Sequence, residues 1–523
     1  MSRMLQSTGA MGAATLVSRV LGMVREMVYA RFMGDGPVAG AFMLAFAVPN
    51  LFRRLLGEGA LSAAFIPVFK ETEKSAGDEP MWRAANAVIS GLMVAAAAVT
   101  GVVLLGVAWA LAAASPPPQT RLMLELLGWM FPYMGLICGA AVLMGMLNAR
   151  GHFFVPALGA AILNVVMITA VLVLAPRWGA TLETQVFALA AGVLLAGVAQ
   201  LLFQVPSLRR EGHRFQWVSP WSHPAVAEVV RRFAPAVVGV AAFQLNVLIT
   251  QGVAFAVDPQ IVASFNYAVR LMELPQGVFG VSLATFLLPT LAGLAADKRM
   301  GEFQKTLGQG ISHLIFVNGL MSVLLLLLAE PMVRLLFERG RFDAEATGRA
   351  AGALVWLAPG LVAFSMVNIL ARAFYALGDT RTPMKLSLLC LGLNLVLALA
   401  LMGPLRQGGL ALANTVTAVL NAALLWSALR RHPSLQGMAV DFKLPGWSAA
   451  LALAALTCWM SSRAWETAFG HATLPARAGA VFAPMALAMG VYGAVAWAAG
   501  VPSAQEWVEM ATRRLRRRNH DAS

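Results

Sequence analysis

The chain has 523 residues, 59% of them hydrophobic and 12% charged, with a mean hydropathy of +0.71 and a formal net charge of +14. Soluble domains carry about one quarter charged residues, so a soluble chain of this composition could not cover its apolar surface; it reads as a polytopic membrane protein. The positive balance does not point to nucleic acid, because no basic run is interleaved with aromatics on a soluble domain, and Lys and Arg retained on one side of a membrane account for it.

A bilayer core about 30 Å thick needs about 20 apolar residues per helix. That ruler gives fourteen spans, near 9–33, 38–58, 84–113, 124–148, 154–175, 185–205, 228–256, 261–289, 309–329, 350–375, 384–402, 409–429, 447–462 and 476–500. The first, second, seventh and eighth are the least cleanly apolar. The first is not a signal peptide: only Arg3 precedes it, and Arg19, Arg25 and Glu26 break it with no cleavage pattern after. Residues 330–349, "EPMVRLLFERGRFDAEATGR", read as an amphipathic surface segment. Cys138, Cys390 and Cys458 each lie in an apolar segment, and with no CxxC or His cluster they read as core residues rather than a disulfide or a metal site.

With both termini in the cytoplasm, the cytoplasmic tails and loops hold 23 Lys plus Arg, including the terminal run from Arg513 to Arg518, against 10 on the opposite side. That bias sets the expected orientation. One half of the chain also echoes the other. Pro132, Ala149, Gly151 and Pro156 recur 227 residues later as Pro359, Ala376, Gly378 and Pro383, and "GALSAAFIPVF" (59–69) resembles "GVSLATFLLPTL" (280–291). A repeat of six spans returns the chain to its starting side, so the two copies share an orientation. The expected fold is therefore all-α: two six-helix lobes, 1–225 and 226–440, around a central cavity, then two further transmembrane helices in 441–505 and a basic cytoplasmic tail at 506–523.

Charges inside the spans carry the functional signal, since a charge at the bilayer centre costs about 2.5–3.5 kcal/mol on insertion scales. Snorkelling accounts for Arg31 and is available to Arg372. It does not cover the set Arg19, Arg25, Arg53, Arg54 and Arg270, which outnumbers the span acids Glu26, Glu58 and Glu273. Arg54 and Glu58 are four apart and can pair on one helical face; Arg270 and Glu273 are three apart. Arg25 and Glu26 are neighbours in sequence, which does not make them face each other, and Arg53 is left with no local partner. Surplus guanidiniums around a water-filled cavity fit an anion, and the rigid fork of Arg suits phosphate oxygens, several together suiting a diphosphate. Gly22, Pro49, Gly57, Gly59, Pro67, Pro275, Gly277, Gly280 and Pro289 punctuate the same spans and mark bendable helices. No phosphate-binding loop of the form G-x4-G-K-[ST] is present, so transport would be driven by the membrane potential, a coupling ion or the substrate's own gradient, with no nucleotide cofactor.

"SRVLGMVREMVYARFMG" (18–34), "AFAVPNLFRRLLGEGALSAAFIPVF" (45–69), "RLMELPQGVFGVSLATFLLP" (270–289) and "LGDTRTPMK" (377–385) resemble the MurJ (MviN) lipid II flippases along essentially the whole chain. The resemblance implies a fourteen-helix member of the multidrug/oligosaccharidyl-lipid/polysaccharide exporter superfamily. It further implies that the last two helices form a groove for the undecaprenyl tail. The implied substrate is lipid II, the undecaprenyl-diphosphate-linked peptidoglycan precursor. It would move from the inner to the outer leaflet of the bacterial inner membrane by alternating access, among phospholipids and alongside cell-division or cell-wall synthesis proteins. The family's essential arginines fall on Arg19, Arg25, Arg53 and Arg270, and its further charged positions on Arg54, Glu58 and Glu273, with Glu26 beside them. Gly40 stands where the family usually has an acid, so either another residue, with Asp35 the candidate, serves at the outward gate or that gate is looser. Asn368 and Asn394 are candidates for a sodium site reported in some members.

Four rivals stand beside this expectation. A flippase for another undecaprenyl-diphosphate oligosaccharide would need the same cavity charge. A non-transport scaffold for cell-wall enzymes would use the basic tail and 330–349 instead. A cation-coupled drug exporter predicts an acid-dominated cavity, and an enzyme acting on lipid would need paired carboxylates or a metal cluster that the spans lack.

Overall fold

A computed structural model of the protein describes residues 2–57, 60–221, 223–435, 440 and 442–509. The helices are α1 (Ser2–Met33), α2 (Pro37–Phe52), α3 (Ala60–Ala76), α4 (Asp78–Ala113), α5 (Pro118–Ala149), α6 (Phe154–Trp178), α7 (Leu182–Arg210), α8 (Pro224–Val257), α9 (Pro259–Ala296) and α10 (Met300–Leu327). They continue with α11 (Ala329–Phe337), α12 (Ala344–Ala376), α13 (Arg381–Leu405), α14 (Gln407–Arg430), α15 (Leu444–Phe469) and α16 (Leu474–Ala498). No strand occurs among the described residues. Among the described residues, twelve helical stretches are long and apolar enough to cross a membrane, and α1 and α8, at 32 and 34 residues, complete the fourteen expected positions. The segment expected to lie at the surface is the nine-residue α11 and the turn after it. Large apolar side chains on α4 point outward, Val102 70%, Leu105 73% and Trp109 72% exposed. On a soluble protein that patch would be a liability; here it is a lipid-facing surface.

Local chemistry sets the helix ends. Prolines open α2, α5, α8 and α9, where a missing N–H costs nothing. Asp343 and Thr473 cap α12 and α16 by accepting from the N–H groups of Ala346 and Ala476. Gly151 and Gly378 end α5 and α12 with φ of +86° and +79°. In both turns the next N–H reaches five residues back, His152 to the Leu147 carbonyl at 2.8 Å and Asp379 to that of Phe374 at 2.9 Å.

The repeat extends well beyond those turns. Arg53–Gly57 and Gln276–Val281 are wide π turns, each between a helix that begins at a proline and a second apolar helix. Buried residues recur in register: Phe65, Phe69, Met81 and Ile89 match Leu287, Leu291, Phe303 and Ile311 at an offset of 222. Val142, Leu143 and Leu147 match Ile369, Leu370 and Phe374 at 227. The offset grows across the stretch that contains α11, an insertion specific to the second copy.

By contacts the chain divides into a first unit of residues 1–263 with 339–342 and a second of 264–338 with 343–523. This differs from the seam expected at 225/226. The helix α8, expected to open the second lobe, packs in the first unit against α2, α3 and α4. Its Ala225 and Val229 join the core of Phe69 and Met81, and Arg232 pairs with Glu71 at 3.0 Å. Also in the first unit, Arg150 clasps Glu73 at 2.5 Å, Glu211 at 2.9 Å and Asp78 at 3.4 Å, tying together the ends of three helices and the start of α4. Glu73 and Glu211 are held below the usual carboxylate range, Glu73 by its bonds to Lys70 and Arg150 and Glu211 by those to His152 and Arg150. In the second unit α15 and α16 pack on α10, where the buried Tyr492 hydroxyl donates to the Phe316 carbonyl at 2.7 Å. The basic run Arg513–Arg518 lies outside the described residues.

Candidate functional site

In the first unit, α1 carries Arg19, Arg25 and Glu26 and is fastened to α6 by Asn164, whose amide donates to the Ser18 carbonyl at 3.0 Å. Arg19 is exposed and makes no hydrogen bond or ion pair among the described residues. Arg25 is largely buried. Its Nη2 donates to Glu26 Oε1 at 2.5 Å, its guanidinium lies 5.5 Å from the centre of the Tyr29 ring, and its buried Nε has no acceptor. The Arg25–Glu26 pair corrects the expectation that adjacent residues would not meet. Successive side chains leave a helix about 100° apart, but a long Arg arm curls back when the surroundings offer no better acceptor.

Arg53 and Arg54 begin the π turn after α2. Arg53 Nε donates to Asn50 Oδ1 at 2.7 Å, so Arg53 has a local partner after all, a neutral amide three residues back. Glu58, expected to pair with Arg54, lies outside the described residues. Both Arg25 and Arg53 are within electrostatic reach of Tyr133, a fully buried residue at the break in α5. The Tyr133 ring lies 6.1 Å from that of Phe46 on α2, and its hydroxyl is 3.4 Å from Gln200 Oε1 on α7. Two guanidiniums of the first unit therefore act electrostatically on one buried aromatic residue. The sequence signal was present for Asn50, at i−3 from Arg53, and for Tyr29, at i+4 from Arg25. None existed for Tyr133, distant in sequence from both.

In the second unit, Arg270 Nη1 donates to Glu273 Oε2 at 2.8 Å on α9, the local pair that the spacing predicted. A π turn follows within one helical turn. Arg372 reaches it from α12, donating to Thr285 Oγ1 at 2.8 Å and to the Val281 carbonyl at 3.4 Å. Asn368 donates to the Phe364 carbonyl and Asn394 to Thr417 Oγ1. No grouping of three or more His, Cys, Asp or Glu side chains suited to a metal occurs among the described residues.

The start of α2 explains Gly40. A Cβ added there would fall inside contact distance of the Pro259 carbonyl oxygen, 2.8 Å from its carbon and 3.1 Å from the Pro259 Cβ. No side chain fits, acidic or otherwise, while those two helix starts are this close. The turn after α1 is equally tight: a Cβ on Gly34 would lie 2.5 Å from the Arg341 carbonyl oxygen, and one on Gly340 2.5 Å from that of Arg31. Arg341 N–H donates to the Arg31 carbonyl at 3.1 Å and its Nη1 to that of Phe32 at 2.9 Å. Asp35 is buried beside this turn.

The family described as "Lipid II flippase MurJ" matches residues 29–478. A probable lipid II flippase MurJ from Vibrio cholerae is 34% identical over 449 residues, 83% of this chain and 84% of that one. The lipid II flippase MurJ of Burkholderia cenocepacia is 33% identical over 462 residues, 85% of this chain and 88% of that one. Among solved structures, a lipid II flippase MurJ in an inward closed conformation superposes with a TM-score of 0.76 at 21% identity, covering 93% of this chain and 97% of that one. An inward-facing multidrug transporter of the MATE family superposes with a TM-score of 0.67 at 17% identity, covering 80% of this chain and 96% of that one, a likeness of fold.

Proposed function

The chain belongs to the lipid II flippase MurJ family, and from that premise we propose that it carries lipid II from the inner to the outer leaflet of the bacterial inner membrane by alternating access, without covalent chemistry. The observation that carries the reading to particular residues is that Arg25 on α1 and Arg53 after α2 both lie within electrostatic reach of the buried Tyr133. Each guanidinium is oriented by a local partner, Glu26 for Arg25 and Asn50 for Arg53, and the planar fork of Arg suits phosphate oxygens. In this reading Arg25, Arg53 and Arg270 grip the diphosphate and Arg19 shapes the entrance. Arg54 and Glu58 serve positioning and gating, as do Glu26 and Glu273 through their pairs with Arg25 and Arg270. The lobes expected at 1–225 and 226–440, with α8 reassigned to the first, act as the two moving parts, 441–505 as the tail groove and 506–523 as a cytoplasmic tail, with both termini in the cytoplasm.

The test is lipid II translocation by protein in vesicles, with and without a membrane potential, for wild type, Arg25→Lys, Arg53→Lys and Arg53→Ala. Lys keeps the charge and loses the bidentate fork, so the Lys variants should transport slowly and Arg53→Ala should not transport. Unimpaired transport by both Lys variants would remove the diphosphate grip. A response to potential is expected if charged arginines reorient across the membrane, because each charge is worth about 2.3 kcal/mol per 100 mV.

A further inference from the structure

The first unit contains a cavity of about 320 Å³ where α3, α4 and the start of α8 meet. Its lining is mostly apolar, Val68 and Pro80 included, with Thr72, Arg83, His223 and Glu228 as its polar members. Several cations near it are committed to acids. Glu228 holds Arg231 at 2.8 Å and Arg232 at 2.6 Å, and Arg150 has its three acids. Arg83 makes no hydrogen bond or ion pair among the described residues. His223 accepts from the Ala225 N–H through Nδ1, which leaves its Nε2 to carry the proton, and burial together with the Arg83 charge keeps the ring below its ordinary pKa.

Beside the cavity, residues 213–221 form a non-helical strap along α4. Asn86 binds both the Arg214 carbonyl, at 2.9 Å, and His213, at 3.0 Å, and Ser90 Oγ accepts from the Val218 N–H at 3.3 Å. Pinned this way, the strap turns Phe215, Trp217 and Trp221 outward, with exposures of 51%, 59% and 82%. Exposed Trp and Phe next to Arg, at the polar end of a lipid-facing helix, have the composition of a membrane–water interface.

We propose that this cavity and strap are a docking site for an anionic phospholipid of the phosphatidylglycerol type, with Arg83 and His223 Nε2 meeting the phosphate and the aromatic strap flanking the acyl chains. Charge complementarity singles out an anion, because Arg83 lines the cavity with no bond among the described residues while the one lining carboxylate, Glu228, is neutralised by Arg231 and Arg232. Continuity with the lipid-facing side of α4 singles out a lipid over a soluble ligand or an acidic protein segment. The inference does not rest on the transport reading.

The test uses the full-length protein in nanodiscs of phosphatidylcholine containing phosphatidylglycerol, with the bound phosphatidylglycerol read by native mass spectrometry. R83Q should weaken the tightest-bound phosphatidylglycerol about five-fold, the factor that corresponds to about 1 kcal/mol per interfacial Arg. R83K should retain it. Because Arg83 is exposed and makes no hydrogen bond or ion pair among the described residues, R83Q should keep the wild-type thermal midpoint in phosphatidylcholine alone, which separates lost binding from lost folding. The control is R121Q on α5, whose Arg121 is exposed and paired with Glu125 at 2.9 Å; it should bind as wild type does. Equal binding by R83Q and wild type, or an equal loss in R121Q, would overturn the site. So would equal protection of wild type by glycerol 3-phosphate or an acidic peptide.

Discussion

Replacing Gly40 by Ala sets two effects of opposite sign against each other. Ala is favoured over Gly inside a helix by about 1 kcal/mol, so an uncrowded site would gain. At Gly40 the added methyl meets backbone, 2.8 Å from the Pro259 carbonyl carbon, and a backbone carbonyl cannot rotate aside as a flexible side chain would. Overpacking of this kind costs about 1–3 kcal/mol, and backbone contact places it toward the upper end. The net is a loss of about 1–2 kcal/mol from any conformation in which the starts of α2 and α9 touch. Every 1.4 kcal/mol is a factor of ten in population, so Gly40→Ala should shift the protein about ten-fold toward conformations in which those helix starts separate. Gly40→Asp should shift it further, and would also restore the acid that the sequence resemblance places here. The assay is the accessibility of a cysteine introduced next to Gly40 to a membrane-impermeant thiol reagent, on a background lacking Cys138, Cys390 and Cys458, alongside the thermal midpoint. The comparison is Gly101→Ala on α4, where a Cβ meets nothing within 4 Å and propensity alone acts. If Gly40→Ala is as stable as Gly101→Ala and no more accessible than the parent, the close approach of the two helices is wrong.

Three further outcomes follow from contacts described above. Asn50→Ala removes the acceptor that orients Arg53 and should weaken lipid II binding about ten-fold at near-normal expression, the size of one lost charge-assisted hydrogen bond; binding by the purified variant checks it. Tyr492→Phe removes a buried bond between α16 and α10 and should cost about 1–2 kcal/mol, seen as a lower thermal midpoint with the oligomeric profile unchanged. The Arg150 clasp gives a pH dependence: Glu73 and Glu211 titrate lower in the folded protein than unfolded, so their stabilisation is complete above about pH 5 and lost as pH falls through the ordinary carboxylate value and below. Arg150→Gln should therefore lower the thermal midpoint at neutral pH and flatten its acid limb, and an unchanged acid limb would count against the clasp.

The spans were legible because hydropathy and length are local properties, and a membrane leaves helices few alternatives. Pairings three or four residues apart were legible for the same reason, as Arg270–Glu273 illustrates. What the sequence hid was set by reach or by distant packing. Arg25 meets Glu26 by bending its arm, which helical geometry at the Cα does not predict. Tyr133 comes within electrostatic reach of Arg25 and Arg53 only once α1, α2, α5 and α7 have packed. The place of α8 depends on Arg232 finding Glu71 and on Ala225 and Val229 finding Phe69 and Met81, none of which has a signature in α8 itself. Gly40 looked like a missing acid; with Pro259 against it, it is a position that no side chain can occupy in this conformation.

Prolines and glycines crowded beside the arginines suggested helices that bend, and the structure gives that suggestion a specific form. Both copies of the repeat carry a π turn at the same register, after α2 and within α9. A wide turn leaves backbone carbonyls without their usual donors, which is costly at membrane depth unless side chains supply them. In the second unit they do: Ser282 Oγ donates to the Gly277 carbonyl at 3.2 Å, and Thr285 and Arg372 both donate to that of Val281. Arg372 thus has a structural task that does not require a carboxylate, which is how a cation near the end of a span is tolerated. Its counterpart at offset 227 is Gly145, packed against Phe65, so the first copy fills with apolar volume the place where the second copy puts a charge. The duplicated backbone preserves the point of weakness in each half, while the residues around it differ between the halves.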